Sequence, residues 1–172
     1  MSAAQRSTFD TIVQGTMVDL FHSLGIALAP LDRNDLLADR ARPQELGAQL
    51  QFRGGAISGV LTVSVPSGLH QQAGKQRDQT DGRDWIREVT NQVFGRLKRR
   101  LLQFQVELGT GLPANLTPEA FDRERKQPGF VVYAFRTLRG EVVVTLSGQL
   151  AHSTLAYASA SQIPSEGDVI LF

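Results

Sequence analysis

Two pairs of strand-like runs, each closed by a very short turn, constrain this chain more than any other feature. Glu45–Arg53 and Ile57–Val65 flank Gly54-Gly55-Ala56, and Phe130–Leu138 and Glu141–Leu150 flank Arg139-Gly140. Leu46, Leu50 and Phe52, then Leu61, Val63 and Val65, follow an imperfect period of two, the signature of strands with one buried face. Turns this short reverse the chain, since a parallel crossover needs about a dozen residues or more. Both pairs therefore read as β-hairpins and predict an antiparallel sheet.

A sheet with one apolar face needs a cover, and two amphipathic segments can supply it. Phe9, Ile12, Val13, Met17, Leu20, Phe21 and Leu24 recur at steps of three and four, a helix that Gly25 ends. A longer helix spans about Gly82 to Val106, with Asp81 as N-cap and Asp84 in the first turn, where a carboxylate favours the dipole. Pro66 opens a short helix to Gly74. The rest reads as connections: Ala29–Pro43, the polar run Lys75–Asp81, and Thr110–Gly129 with one helical turn near Pro118–Asp122 and a charged loop at Asp122–Lys126. Residues 1–8 read as a frayed leader. The Ser/Ala-rich tail 151–172 ends in Val169-Ile170-Leu171-Phe172, which is expected to dock on a sheet, its own or a partner's. The expected fold is α+β: a single two-layer domain over residues 1–172, its antiparallel sheet built from hairpins and its long amphipathic helices packed on one face.

Composition fits that picture. At 172 residues, 41% hydrophobic and 20% charged, the chain is long and apolar enough to bury one core rather than stay disordered. Cysteine is absent, which excludes disulfides and thiolate metal sites. No run reaches the roughly 18 apolar residues of a membrane span, and the start lacks the apolar core of a secretory signal; a cytoplasmic protein with no membrane partner is expected. His22, His70 and His152 share no ligand spacing, so no metal is expected. Gly54-Gly55-Ala56-Ile57-Ser58-Gly59 joins two strands and is a turn, not a phosphate loop. The net charge is +1, and the cluster Arg96-Leu-Lys98-Arg99-Arg100 sits late in a helix, where cations complement the dipole. No motif accompanies it, so nucleic acid is not the expected partner.

The long helix carries the chemistry. At about 100° per residue, Ile86, Val89, Val93, Leu97, Leu101 and Phe104 form a stripe to be buried. Opposite them Asp84, Glu88, Asn91, Gly95 and Lys98 fall in vertical register. Many helices carry such a stripe as a plain solvated face. Gly95 argues otherwise, because a mid-helix glycine costs about 1 kcal/mol relative to alanine and a solvated face gains nothing from it. Leu102, on the same side, would also gain from a covering partner. Both point to a docking face.

Asp84-Trp-Ile-Arg-Glu88-Val-Thr-Asn91-Gln-Val-Phe-Gly95-Arg-Leu-Lys98 resembles the signature helix of the CheX/CheC-type chemotaxis phosphatases. That signature places an acid or serine, then Glu, then Asn at this spacing, continues Gly-x-x-Lys, and carries a proline just over twenty residues later, where Pro113 stands. The likeness takes in the first helix, the Gly59–Pro66 segment and the late hairpin, about residues 9–150. A single Glu-x-x-Asn resembles the one-site CheX branch rather than the two-site CheC branch.

The resemblance implies a two-component signalling function: hydrolysis of the aspartyl phosphate of a CheY-like response regulator. Glu88 and Asn91 are then the catalytic pair. A carboxamide can place a water in line with phosphorus without adding charge beside the phosphoryl group, which suits Asn91. Glu88 suits a salt bridge to a regulator lysine. Asp84, Gly95, Lys98 and Pro113 become partner-binding residues. No cofactor is expected in this chain, since the divalent metal belongs to the regulator, and a homodimer is expected. The alternative is a CheX-like domain that docks a regulator or mediates assembly without hydrolysis.

Overall fold

The computed structural model describes residues 3–31, 45–54, 57–73, 82–104 and 106–150, with side chains described from residue 9 to residue 149. Helix α1 (Ala3–Ser23) is followed by strands β1 (Ala29–Pro30), β2 (Leu46–Arg53) and β3 (Ile57–Val65). The single turn α2 (Leu69–Gln72) and the long helix α3 (Gly82–Leu102) come next, then β4 (Gly109–Thr110), β5 (Ala114–Asn115), α4 (Pro118–Arg125), β6 (Val131–Thr137) and β7 (Gly140–Leu150). All strands pair antiparallel in one sheet of order β1-β6-β7-β3-β2-β4, with β5 also on β2. Both expected hairpins form, β2–β3 and β6–β7, and β3–β7 pairing from Ile57↔Leu150 to Ser64↔Val143 joins them.

The alternation read from the sequence decides which face each strand shows. Leu61 and Val63 of β3, Val142, Val144 and Leu146 of β7, and Ala48, Leu50 and Phe52 of β2 share one core with α1 and α3. Phe9, Ile12, Val13, Met17, Leu20 and Phe21 enter it from α1; Ile86, Val89, Val93, Leu97 and Leu101 enter from α3. Phe52 stacks on Phe94 with ring centroids 5.8 Å apart, an offset contact that fixes α3 over β2.

Helix α1 ends in a Schellman motif. Ile26 N–H donates to the Phe21 carbonyl and Gly25 N–H to that of His22, both at 2.9 Å, with Gly25 at φ 75° and both Ile26 and Phe21 buried. The other end corrects the sequence reading, for the helix begins at Ala3 and takes in most of the expected leader. A polar first turn carries no apolar period, so its helicity is invisible to pattern. Helix α3 stops at Leu102 rather than 106, because the amides of Phe104 and Val106 both turn back to the Leu101 carbonyl and bury their side chains. The short helix is one turn from Leu69, opened by its amide bonding the Pro66 carbonyl at 3.0 Å.

The segment expected to be mostly loop departs most. Residues 109–110 and 114–115 pair with the outer edge of β2, and α4 runs two turns rather than one. Thr117 caps α4 by accepting the Ala120 amide at 3.2 Å, with Pro118 at its first position. The two long helices lie on one face as expected; α4 lies on the other. Its Glu124 accepts hydrogen bonds from Thr62 Oγ1 and Thr145 Oγ1, both at 2.6 Å, and those threonines alternate with the core residues of β3 and β7. No helix among the described residues is long and apolar enough to cross a membrane. The tail 151–172, the run Lys75–Asp81 with its expected N-cap, and residues 32–43 of the first connection lie outside the described residues.

Candidate functional site

Asp84, Glu88, Asn91 and Gly95 are all exposed, and Lys98 is half-buried, on the side of α3 away from the core. The helix is held from below by Ile86, Val89, Val93 and Leu97, each 3% exposed or less. A rigid rod thus presents the stripe to solvent with its spacing set by helix geometry, about 5.4 Å per turn.

The neighbours of these side chains differ. Asp84 is ion-paired with Arg87 one turn on, so its carboxylate is already partly neutralised. Glu88 Oε1 accepts from Gln92 Nε2 at 2.8 Å, an i,i+4 contact that orients the carboxylate along the stripe. The Asn91 carboxamide has no side-chain partner among the described residues and keeps both its donor and its acceptor free. Apart from its chain neighbours and the local helix backbone, nothing lies within 4 Å of where a Cβ on Gly95 would stand. Sequence reasoning missed Gln92, although its spacing from Glu88 was the available signal.

Lys98 stands at the far end of the stripe, on a cavity of about 550 Å³ that Gly54, Leu102, Glu107, Leu108 and Gly109 complete. Pro113 sits in the turn between β4 and β5, where the Gly111 amide bonds the Gln51 carbonyl at 3.2 Å. Gly82 at the start of α3 packs on Leu46 at the start of β2, and Lys98 lines a cavity with Gly54 at the end of β2. Helix and strand therefore run side by side, with β4 and β5 on the far edge of β2.

Two cations of the basic cluster, Arg96 and Arg100, are turned toward α1. Arg100 pairs with Asp19 and reaches the Ile12 carbonyl at 3.5 Å, while Arg96 Nη2 donates to Ser23 Oγ at 3.4 Å. These contacts tie α3 to α1.

The helix pair over a hairpin-built antiparallel sheet is the fold of the CheX and CheC-like chemotaxis proteins. Chemotaxis protein CheX from Vibrio vulnificus matches with a TM-score of 0.65 at 14% identity, over 81% of this chain and 95% of that one. A CheC-like superfamily protein from Shewanella sp. PV-4 matches with a TM-score of 0.61 at 16% identity, over 81% and 96%. CheX in the CheX–CheY–BeF3–Mg2+ complex from Borrelia burgdorferi matches with a TM-score of 0.53 at 13% identity, over 81% and 94%. No protein-family model and no curated protein matches the sequence.

Proposed function

We propose that this protein hydrolyses the aspartyl phosphate of a CheY-like response regulator, using Glu88 and Asn91. One observation carries the reading: an unpartnered, exposed carboxamide at Asn91 stands one turn from Glu88 on the outward face of an anchored helix. The fold supports it, since the similar CheX from Borrelia burgdorferi is found in complex with CheY, BeF3 and Mg2+.

An acyl phosphate is already reactive, so the work left is placement of water. Asn91 Oδ1 accepts a hydrogen bond from that water and Nδ2 donates to a phosphoryl oxygen. As the water oxygen bonds to phosphorus, the bond from phosphorus to the aspartyl oxygen breaks. The products are inorganic phosphate, which leaves as H2PO4− with both of the water's protons, and the regulator's free carboxylate. Glu88, steadied by Gln92, pairs with a regulator cation and sets the register. The reaction's divalent cation belongs to the regulator in this proposal, and pairing with a second copy belongs to it as well.

The test is single-turnover dephosphorylation against protein concentration. Asn91→Ala is expected to lower kcat by about a hundredfold or more with little change in partner affinity. Glu88→Ala is expected chiefly to raise KM and to lessen the salt dependence. Near-parent turnover by Asn91→Ala would remove the catalytic assignment and leave a regulator-docking domain without hydrolysis.

A further inference from the structure

We infer that the cavity at the C-terminal end of α3 is the anchor that selects the regulator, receiving an apolar side chain of the receiver domain between Lys98 and Glu107. This rests on the reading above and names a second, non-catalytic part of the same docking surface.

Leu102 lies on the line of Glu88 and Asn91 and is 46% exposed, although it ends a helix whose other aliphatic residues are all buried. With Leu108 and Gly54 it supplies the apolar part of the lining of the open 550 Å³ hollow. Gly54 lets the 107–108 segment pack directly against the end of β2, since a Cβ there would meet the Glu107 carbonyl oxygen at 2.2 Å and Leu108 Cδ2 at 2.8 Å. Lys98 and Glu107 stand at the rim, and among the described residues neither has a side-chain partner. An apolar lining with one unpaired charge of each sign fits an aliphatic or aromatic side chain flanked by an acid and a base.

Geometry says which partner reaches it. Leu102 is about 16 Å beyond Asn91 along the helix axis. A standard interface buries about 800 Å² on each side, a patch about 30 Å across. A patch of that size centred on Asn91 reaches Leu102 only at its margin, and a lean toward that end would bring the cavity beneath it. At the N-terminal end Asp84 is already paired with Arg87. Toward the C-terminal end Gly95 leaves the surface bare and the cavity follows, so the domain leans that way. Buried apolar anchors of this kind carry a large share of binding energy at interfaces.

The experiment measures binding and turnover in parallel for the full chain. The probes are CheY-type receiver domains from the same genome, loaded with beryllofluoride for binding and phosphorylated for turnover. Leu102→Asp and Lys98→Glu are expected to raise Kd and KM by about tenfold or more, with kcat at saturation within about twofold of the parent. Leu138→Asp, at the still more exposed β6–β7 turn on the opposite end of the sheet, is expected to change neither. Parent-like Kd for Leu102→Asp and Lys98→Glu would overturn the inference. So would a shift of Leu102→Asp to a smaller sedimenting species, which would give the cavity to a second copy. Failure of the phosphatase reading looks different: bound receivers would keep their phosphate at the spontaneous rate.

Discussion

Glycine at position 95 costs its helix about 1 kcal/mol relative to alanine, yet beyond its chain neighbours and the local helix backbone nothing comes within 4 Å of where a Cβ would stand. Internal packing therefore gives no reason for it. Gly95→Ala should raise unfolding free energy by about 0.5–1 kcal/mol in a denaturant titration. Gly95→Leu should fold normally and bind an activated receiver more weakly; parent-like affinity would move the docking face elsewhere. At this scale the stripe was legible because 3.6-residue periodicity places Asp84, Glu88, Asn91, Gly95 and Lys98 together whatever the tertiary context. The ion pair of Asp84 with Arg87 and the Gln92 contact to Glu88 were available as spacings, but spacing does not say which of several rotamers a surface side chain takes.

Helix α4 was the element hardest to read, and its Glu124 shows why. Within Arg123-Glu124-Arg125-Lys126 the residue looks like solvated charge, but it is 3% exposed and lies between two threonine hydroxyls. A single buried residue in a charged run has no periodicity to reveal it. Burial raises its carboxyl above the usual carboxylate value, and the Thr145 and Thr62 hydrogen bonds only partly oppose this. Because the folded value is the higher one, this group's contribution is complete at pH below the ordinary carboxylate value and is lost as pH rises through the raised one. Glu124→Gln keeps a donor and an acceptor for the two hydroxyls without the charge. Its stability should match the parent in acid and exceed it progressively as pH rises through that window. Glu124→Ala should cost about 1–3 kcal/mol by leaving both hydroxyls without their acceptor. Urea midpoints against pH for the three proteins decide it; a parent and Gln variant that stay parallel across the window would deny the shift.

For the whole molecule, the hairpins and the two long helices were readable because each rests on local alternation or on a turn. The sheet order was not, since β3–β7 pairing and the placement of β1 on β6 join segments far apart in sequence. The strands at 109–110 and 114–115 are too short to carry any pattern. Self-association belongs to this scale too. The apolar end Val169–Phe172 lies outside the described residues, and its composition motivates the proposed dimer. Sedimentation equilibrium at tens of micromolar is expected to give a dimer, and deleting residues 151–172 to weaken it. A monomer with or without the tail would exclude this.

The outer edge of β2 has a consequence for the kind of recognition open to this protein. Arg53 and Phe52 are paired with Gly109 and Thr110, and Gln49 and Ala48 with Ala114 and Asn115; between and beyond them the amides of Gly111 and Leu116 bond the carbonyls of Gln51 and Gly47. The chain has in effect hemmed its own sheet beside the candidate site. A visitor finds no backbone ladder there to extend, so neither an extended peptide nor a swapped strand can gain a foothold by main-chain pairing. Whatever docks at α3 must be discriminated through side chains alone, and a few substitutions along one helix face could retarget the protein without disturbing its fold.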